Sequence, residues 1–186
     1  GGTFAGCTSL TNITLPDSIT TIQKSVFYDT KINYDYIDNG LSFLISGSGK
    51  IAYLIDGSNA SGSVKIPASV GGASPALIAD EAFFRCPNLT SITIPNGVTS
   101  IGARAFGQCT SLTGIAVPDS VTSIGIYAFS YCRSLTSITI PDGVTSIGSS
   151  AFFSCKSLAS IAIPDGVTSI GSSAFEGCNS LASITI

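Results

Sequence analysis

The sequence has no histidine, no methionine and no tryptophan, and it carries little charge. Without histidine there is no imidazole general base, no Ser-His or Cys-His nucleophile pair and no histidine metal ligand. Charged residues make up 10% of the 186 residues, against roughly 25% in an average soluble domain. The 8 Lys plus Arg are spread singly along the chain and the net charge is −3. Non-specific nucleic-acid binding draws on a basic stripe, so no nucleic-acid partner is expected. No apolar run reaches the ~18 residues of a membrane helix, so this segment is not expected to insert into a membrane directly. The absence of methionine removes a natural initiator, and Gly1 to Cys7 already fit the middle of a repeat. The expectation is therefore a processed or truncated piece, a fragment of something longer.

What fills the chain instead is a repeat. Pro95, Pro118, Pro141 and Pro164 follow one another at 23 residues, and so do Phe83, Phe106, Phe129, Phe152 and Phe175. Cys86, Cys109, Cys132, Cys155 and Cys178 keep the same step. The unit reads Pro-x-x-Val-Thr-Ser-Ile-Gly-x-x-Ala-Phe-x-x-Cys-x-Ser-Leu-x-x-Ile-x-Ile/Val, with a clean copy at Pro141 to Ile163. One copy sets Leu158, Ile161 and Ile163 on an extended segment, Val167 and Ile170 on a second, and Ala174, Phe175 and Cys178 on a compact return. A single copy cannot bury these residues alone, so copies must stack in register, each position against its own equivalent. Pro-Asp-Gly at 141–143 and 164–166 predicts a turn between the two extended segments. Gly125, Gly148 and Gly171 are expected to end the second segment in a backbone conformation closed to other residues.

Worn copies occupy residues 1–33, with Thr30 standing where a cysteine is expected. The array resumes over residues 65–186 as about five repeats. The first of these has a five-residue insertion in Gly71-Gly72-Ala73-Ser74-Pro75. Between them, residues 34–64 hold two apolar runs, Leu41 to Ile45 and Lys50 to Ile55, around Ser46-Gly47-Ser48-Gly49. This predicts a β-hairpin inserted into the solenoid or joining two arrays. A flexible linker is the other reading, and the apolar content argues against it. Gly47-Ser48-Gly49-Lys50 lacks the full phosphate-loop pattern and is read as the hairpin turn.

The unit Leu-x-x-Ile-x-Ile-Pro-x-x-Val-Thr-Ser-Ile-Gly-x-x-Ala-Phe-x-x-Cys resembles the BspA-like, or Treponema-type, leucine-rich repeat. The resemblance implies a β-rich solenoid of 23-residue leucine-rich repeats stacked in parallel, with short strands and brief helical or 3-10 turns. It implies an extracellular or cell-surface place and a part in adhesion or host interaction. It supplies no catalytic residues, and no cofactor or metal is expected. Fold by itself does not fix function.

Several columns of the repeat invite a functional reading. The cysteines, ~4.8 Å apart if stacked in register, are too far apart for the usual disulfide geometry and lack Cys-x2-Cys spacing. A buried ladder of thiols is the expectation. Asp17, Asp119, Asp142 and Asp165 share one position with Asn96. They read as turn chemistry more readily than as a Ca2+ site, which wants 6–8 oxygens. Between the apolar positions of the first segment lie small uncharged residues, from Ser91 and Thr93 to Ser183 and Thr185, with no large anchor for a partner.

The aromatics Phe84, Tyr131 and Phe153 break the repeat consensus near the Phe-to-Cys turn, and Arg85, Arg104 and Arg133 lie close by in sequence. These six are the candidate partner contacts, against the plainer reading that the aromatics cover the core. Tyr34, Tyr36 and Tyr53 form a second aromatic cluster around the hairpin. Asn12, Asn59 and Asn88 head Asn-x-Ser/Thr sequons, which would matter only in a glycosylating organism.

The leading expectation is a non-enzymatic module that binds a host matrix or cell-surface protein through a repeat surface. The alternatives are a structural spacer projecting another domain and a glycan-binding surface using exposed aromatics, for which coplanar rings would be the signature. Neither end shows a capping repeat, so either a cut piece or end-to-end self-association is expected.

Overall fold

The structure is a computed structural model that describes residues 3–185 and, within them, every side chain except those of Tyr36 and Asp38. The strands in chain order are β1 (Tyr36–Asp38), β2 (Leu41–Ile45), β3 (Ile51–Asp56), β4 (Gly62–Lys65), β5 (Ser74–Ile78), β6 (Leu89–Thr93), β7 (Ser100–Ile101), β8 (Gly114–Ala116), β9 (Ser123–Ile124), β10 (Ser137–Thr139), β11 (Ser146–Ile147), β12 (Ser160–Ala162), β13 (Ser169–Ile170) and β14 (Ser183–Thr185). They form two parallel ladders, one for each extended segment of the repeat. The first runs β4-β6-β8-β10 and continues in the pair β12-β14. The second runs β3-β5-β7-β9-β11-β13, with β1 and β2 added antiparallel at its β3 end.

Register follows the repeat. Ile92 faces Ile115, which faces Ile138, and Ile101 faces Ile124, which faces Ile147. Between the ladders each proline opens a tight turn, as where the Val144 N–H donates to the Pro141 carbonyl at 3.0 Å. Phe83, Phe106, Phe129 and Phe152 are fully buried. Their rings, with that of Phe175, stack nearly parallel at 5.1–5.4 Å between centroids. Burying each ring contributes about 1.5–3 kcal/mol. Each stacked pair contributes a further ~0.5–1.5 kcal/mol. The spine exists only because the coils are in register.

The return segments are not helices, apart from a 3-10 turn at Lys24–Phe27. In the main array their amides alternate. Ala105, Gly107 and Cys109 donate to carbonyls three residues back, while Arg104, Phe106 and Gln108 donate to Ile126, Ala128 and Ser130 of the next coil. Half the donors that a helix would use inside itself serve as inter-coil bonds instead. The alternation sets two columns of left-handed backbone. Glu81, Arg104, Tyr127, Ser150 and Ser173 have φ of 52–61°, and Arg85, Gln108, Tyr131 and Ser154 have φ of 57–62°.

This corrects the expectation for the glycine column. Gly125 and Gly148 are not left-handed. A Cβ on Gly125 would lie 2.6 Å from the carbonyl carbon of Gly102, and one on Gly148 would lie 2.6 Å from that of Gly125. The glycines are there because backbone meets backbone, and the left-handed positions begin two residues later.

The antiparallel pair β2–β3 closes around Ser46–Lys50, where the predicted hairpin lies. The strand β4 then starts the first ladder at Gly62. The insertion is a tight turn in which Val70 and Ala73 exchange both backbone hydrogen bonds, with Gly71 and Gly72 at φ of 57° and 87°. The N-terminal coil is clamped to the hairpin. Tyr53 donates to the Pro16 carbonyl at 2.7 Å, Ser48 to Asp17 at 2.8 Å, and Lys24 pairs with Asp56 at 2.8 Å.

Candidate functional site

The return segments lay successive coils side by side, so residues 23 apart become neighbours. Phe84 lies over Gly107, which has no side chain to displace its ring; a Cβ there would approach Phe84 to 3.1 Å. The guanidinium of Arg85 lies 5.2 Å from the centre of the Phe84 ring, and its Nε donates to Gln108 at 3.2 Å. Two coils on from Arg85, the Arg133 guanidinium lies 5.8 Å from the Tyr131 ring, and Phe153 meets that ring edge-on at 5.3 Å. Arg85, Pro87, Gln108, Thr110, Tyr131 and Arg133 together line an open groove of about 450 Å3.

Five of the six expected contact residues thus form one ridge. Arg104 lies apart on the other left-handed column, paired with Glu81 at 3.3 Å and with its guanidinium over the Tyr127 ring, 5.3 Å from the centroid. Sequence reasoning missed Tyr127, Gln108 and Thr110. Tyr127 breaks the consensus as plainly as Tyr131 does, and with Ile126 it is among the exposed large side chains. Gln108 and Thr110 become visible only when coils are stacked.

Of the aromatics expected as a cluster around the hairpin, Tyr53 does not reach the surface. Tyr53 is fully buried, with its hydroxyl satisfied inside the fold. The side chain of Tyr36 lies outside the described residues. Tyr34 is half-buried, and burial raises its phenol above the ordinary tyrosine value. It shares a groove of about 240 Å3 with Tyr28 and Phe84.

The aromatic rings on the ridge are not coplanar, since Tyr131 and Phe153 meet at 67°. The cysteines are free, and Cys86, Cys109, Cys132 and Cys155 are buried. The thiols of Cys109, Cys132, Cys155 and Cys178 each donate to the carbonyl of the preceding coil's phenylalanine at 3.1 Å. Burial pushes the Cys132 thiol up to about 12. The strand face keeps its small side chains, with Ser91 bonded to Ser63 at 2.9 Å.

A larger groove of about 730 Å3 separates the N-terminal coil from the second ladder. Its walls include Phe4, Ile19 and Val26, and its floor is made by Ser100, Ser123 and Ser146. Its one titratable lining residue, Asp80, already accepts the Ala103 N–H at 2.7 Å.

The sequence matches the family described as BspA type leucine rich repeat region in six copies, over residues 1–47 and 76–186. No curated protein matches the chain. Among solved structures, a T. pallidum leucine rich repeat protein is 31% identical, with a TM-score of 0.73 over 80% of this chain and 69% of its own. A leucine rich cell surface protein from Faecalibacterium prausnitzii is 34% identical, with a TM-score of 0.77 over 95% of this chain. A leucine-rich repeat protein from Bacteroides ovatus is 31% identical, with a TM-score of 0.70 over 82% of this chain. The chain spans 48% and 41% of the length of the last two. By the repeat and by these matches, the chain belongs to the BspA type leucine rich repeat family.

Proposed function

We propose that the chain is a surface recognition module that engages a protein of a host or neighbouring cell through the ridge of return segments. One observation carries this reading. Within the main array, the large residues that depart from the repeat consensus gather on the return side of adjacent coils, while the strand face stays small and neutral. A spacer needs no such patch. Arg and Tyr are the residues that dominate binding hot spots, and here they sit on a backbone fixed by inter-coil hydrogen bonds. Leucine-rich repeats are a binding scaffold, and the similar F. prausnitzii protein is described as a cell surface protein, which favours an extracellular setting. The glycan reading lacks the parallel platform that would favour it, because the rings cross at 67°.

The test is binding of the full chain to immobilised extracellular-matrix proteins and mucin, beside a variant with Phe84, Tyr131 and Phe153 changed to Ser. Saturable binding that the variant loses supports the reading. Binding to no member of the panel, or equal binding by both proteins, transfers the weight to the spacer.

A further inference from the structure

The ridge has a charge character that the chain as a whole lacks. Net charge is −3, yet the groove is lined by two arginines and by no acidic residue. Among the described residues, the ion pairs are Lys24–Asp56 and Arg104–Glu81. Arg85 and Arg133 are exposed and take no part in either pair.

Each of the two guanidiniums lies against an aromatic face, Phe84 for Arg85 and Tyr131 for Arg133. Two consequences follow. One face of each ring is covered by its arginine, so the ridge offers a partner guanidinium groups beside the rings. These cation–π contacts also bias the guanidiniums toward one place before a partner arrives, which lessens the ordering cost of using them. A guanidinium whose two terminal nitrogens remain available, as those of Arg85 do beside the Nε bond to Gln108, matches a carboxylate through two parallel N–H···O bonds. Between the arginines lie the neutral polar Gln108 and Thr110 and the tyrosine ring, which suit the backbone and side chains of a peptide.

Resting on the recognition reading above, we infer that the groove binds carboxylates of an acidic protein segment, with Arg85 and Arg133 as the two reading groups. Such a complex draws part of its affinity from charge in exposed surroundings and weakens as salt rises.

The probe is a biotinylated ten-residue oligoglutamate peptide, captured on a sensor surface and titrated with the full chain at low and at physiological salt. A ten-residue oligolysine and a uronic-acid oligosaccharide are captured in parallel. The test variant carries Arg85→Gln and Arg133→Gln. A control variant carries Lys50→Gln and Lys65→Gln, which lowers the net charge equally at exposed positions away from the groove. Saturable, salt-sensitive binding of oligoglutamate is expected. It should fall by at least about tenfold in the arginine variant and stay within about twofold in the lysine variant. Equal losses in both variants overturn the inference, because total charge would then be the cause. So does absence of binding at low salt. Preference for the uronic-acid probe also overturns it, by moving the ligand to an acidic glycan. The matrix-protein panel, run on the same surfaces, separates the two readings. Binding there that is lost on Phe84, Tyr131 and Phe153 replacement, with no oligoglutamate binding, sinks the acidic partner and leaves recognition standing. Silence on both surfaces sinks both.

Discussion

Replacing Gly125 by alanine places a Cβ 2.6 Å from the Gly102 carbonyl carbon and 2.7 Å from the Ala103 nitrogen. Both atoms are backbone, so relief requires the coils to part. Chemical denaturation of Gly125→Ala should show a loss of about 3 kcal/mol. The left-handed columns have the opposite logic. Ser173, exposed at φ 57°, should tolerate Asn and lose about 1–2 kcal/mol on change to Val, which cannot adopt that conformation without strain. Equal midpoints for Ser173→Asn and Ser173→Val would argue against it. The sequence could not display these columns, because Glu, Arg, Tyr and Ser carry no sign of positive φ. The glycines advertised themselves but for a different physical reason, since glycine serves both backbone freedom and close approach. The thiols differ in their burial. Cys7 is exposed and should react with a disulfide reagent at once, half-buried Cys178 more slowly, and Cys109, Cys132 and Cys155 only on unfolding. A burst of more than two thiols from the native protein would refute the buried ladder.

Among the elements, the junction of the N-terminal coil with the hairpin is the part that pH reaches. Burial pushes the Asp56 carboxyl up, but hydrogen bonds from Lys24 and Ser58 outweigh burial and leave it below the usual aspartate value. Asp17 is lowered by its hydrogen bonds with Ser46 and Ser48. A carboxyl depressed in the folded state contributes stability that is present above its unfolded value, near pH 4, and is lost as pH falls through the folded value. Asp80 runs the other way, raised by burial, but its carboxyl bonds Ala103 and not the N-terminal coil. Below about pH 4, amides of the N-terminal coil such as Lys31 and Asn33 should exchange faster while those of β9 and β11 stay protected. Hydrogen exchange by mass spectrometry distinguishes this from uniform loosening. The hairpin was legible from its two apolar runs and the turn composition between them. The role of Tyr53 was not. Its neighbours in sequence do not reveal that a carbonyl of the distant Pro16 will meet its hydroxyl, so a core tyrosine looked like a surface one.

For the molecule as a whole, the 23-residue period carried the architecture of the main array, because its core residues pack against their own copies in the neighbouring coils, whereas Phe43, Tyr53 and the other core residues of the hairpin have no copy. That periodicity also sets how damage spreads. In a stacked array each coil touches only its neighbours, so the cost of truncating a spine phenylalanine depends on whether it has one on each side. Phe129→Ala, with Phe106 and Phe152 stacked above and below, should cost about 3–5 kcal/mol. Phe175→Ala, half-buried and stacked on Phe152, should cost clearly less in the same melt series. The ridge was legible in part. Consensus breaks pointed to five residues that do converge, whereas the separation of Arg104 depends on which left-handed column it occupies.

Arg85, Gln108, Tyr131, Ser154 and Gly177 occupy the same position in successive coils. Five residues of five types share one backbone state, with φ between 57° and 75°, and Arg85, Gln108, Tyr131 and Ser154 each donate a backbone N–H to a carbonyl of the next coil. The column behaves as a rail of identical sockets whose fittings are interchangeable. Refitting it for a new partner means swapping one letter per coil, and the scaffold beneath has no need to be rewritten.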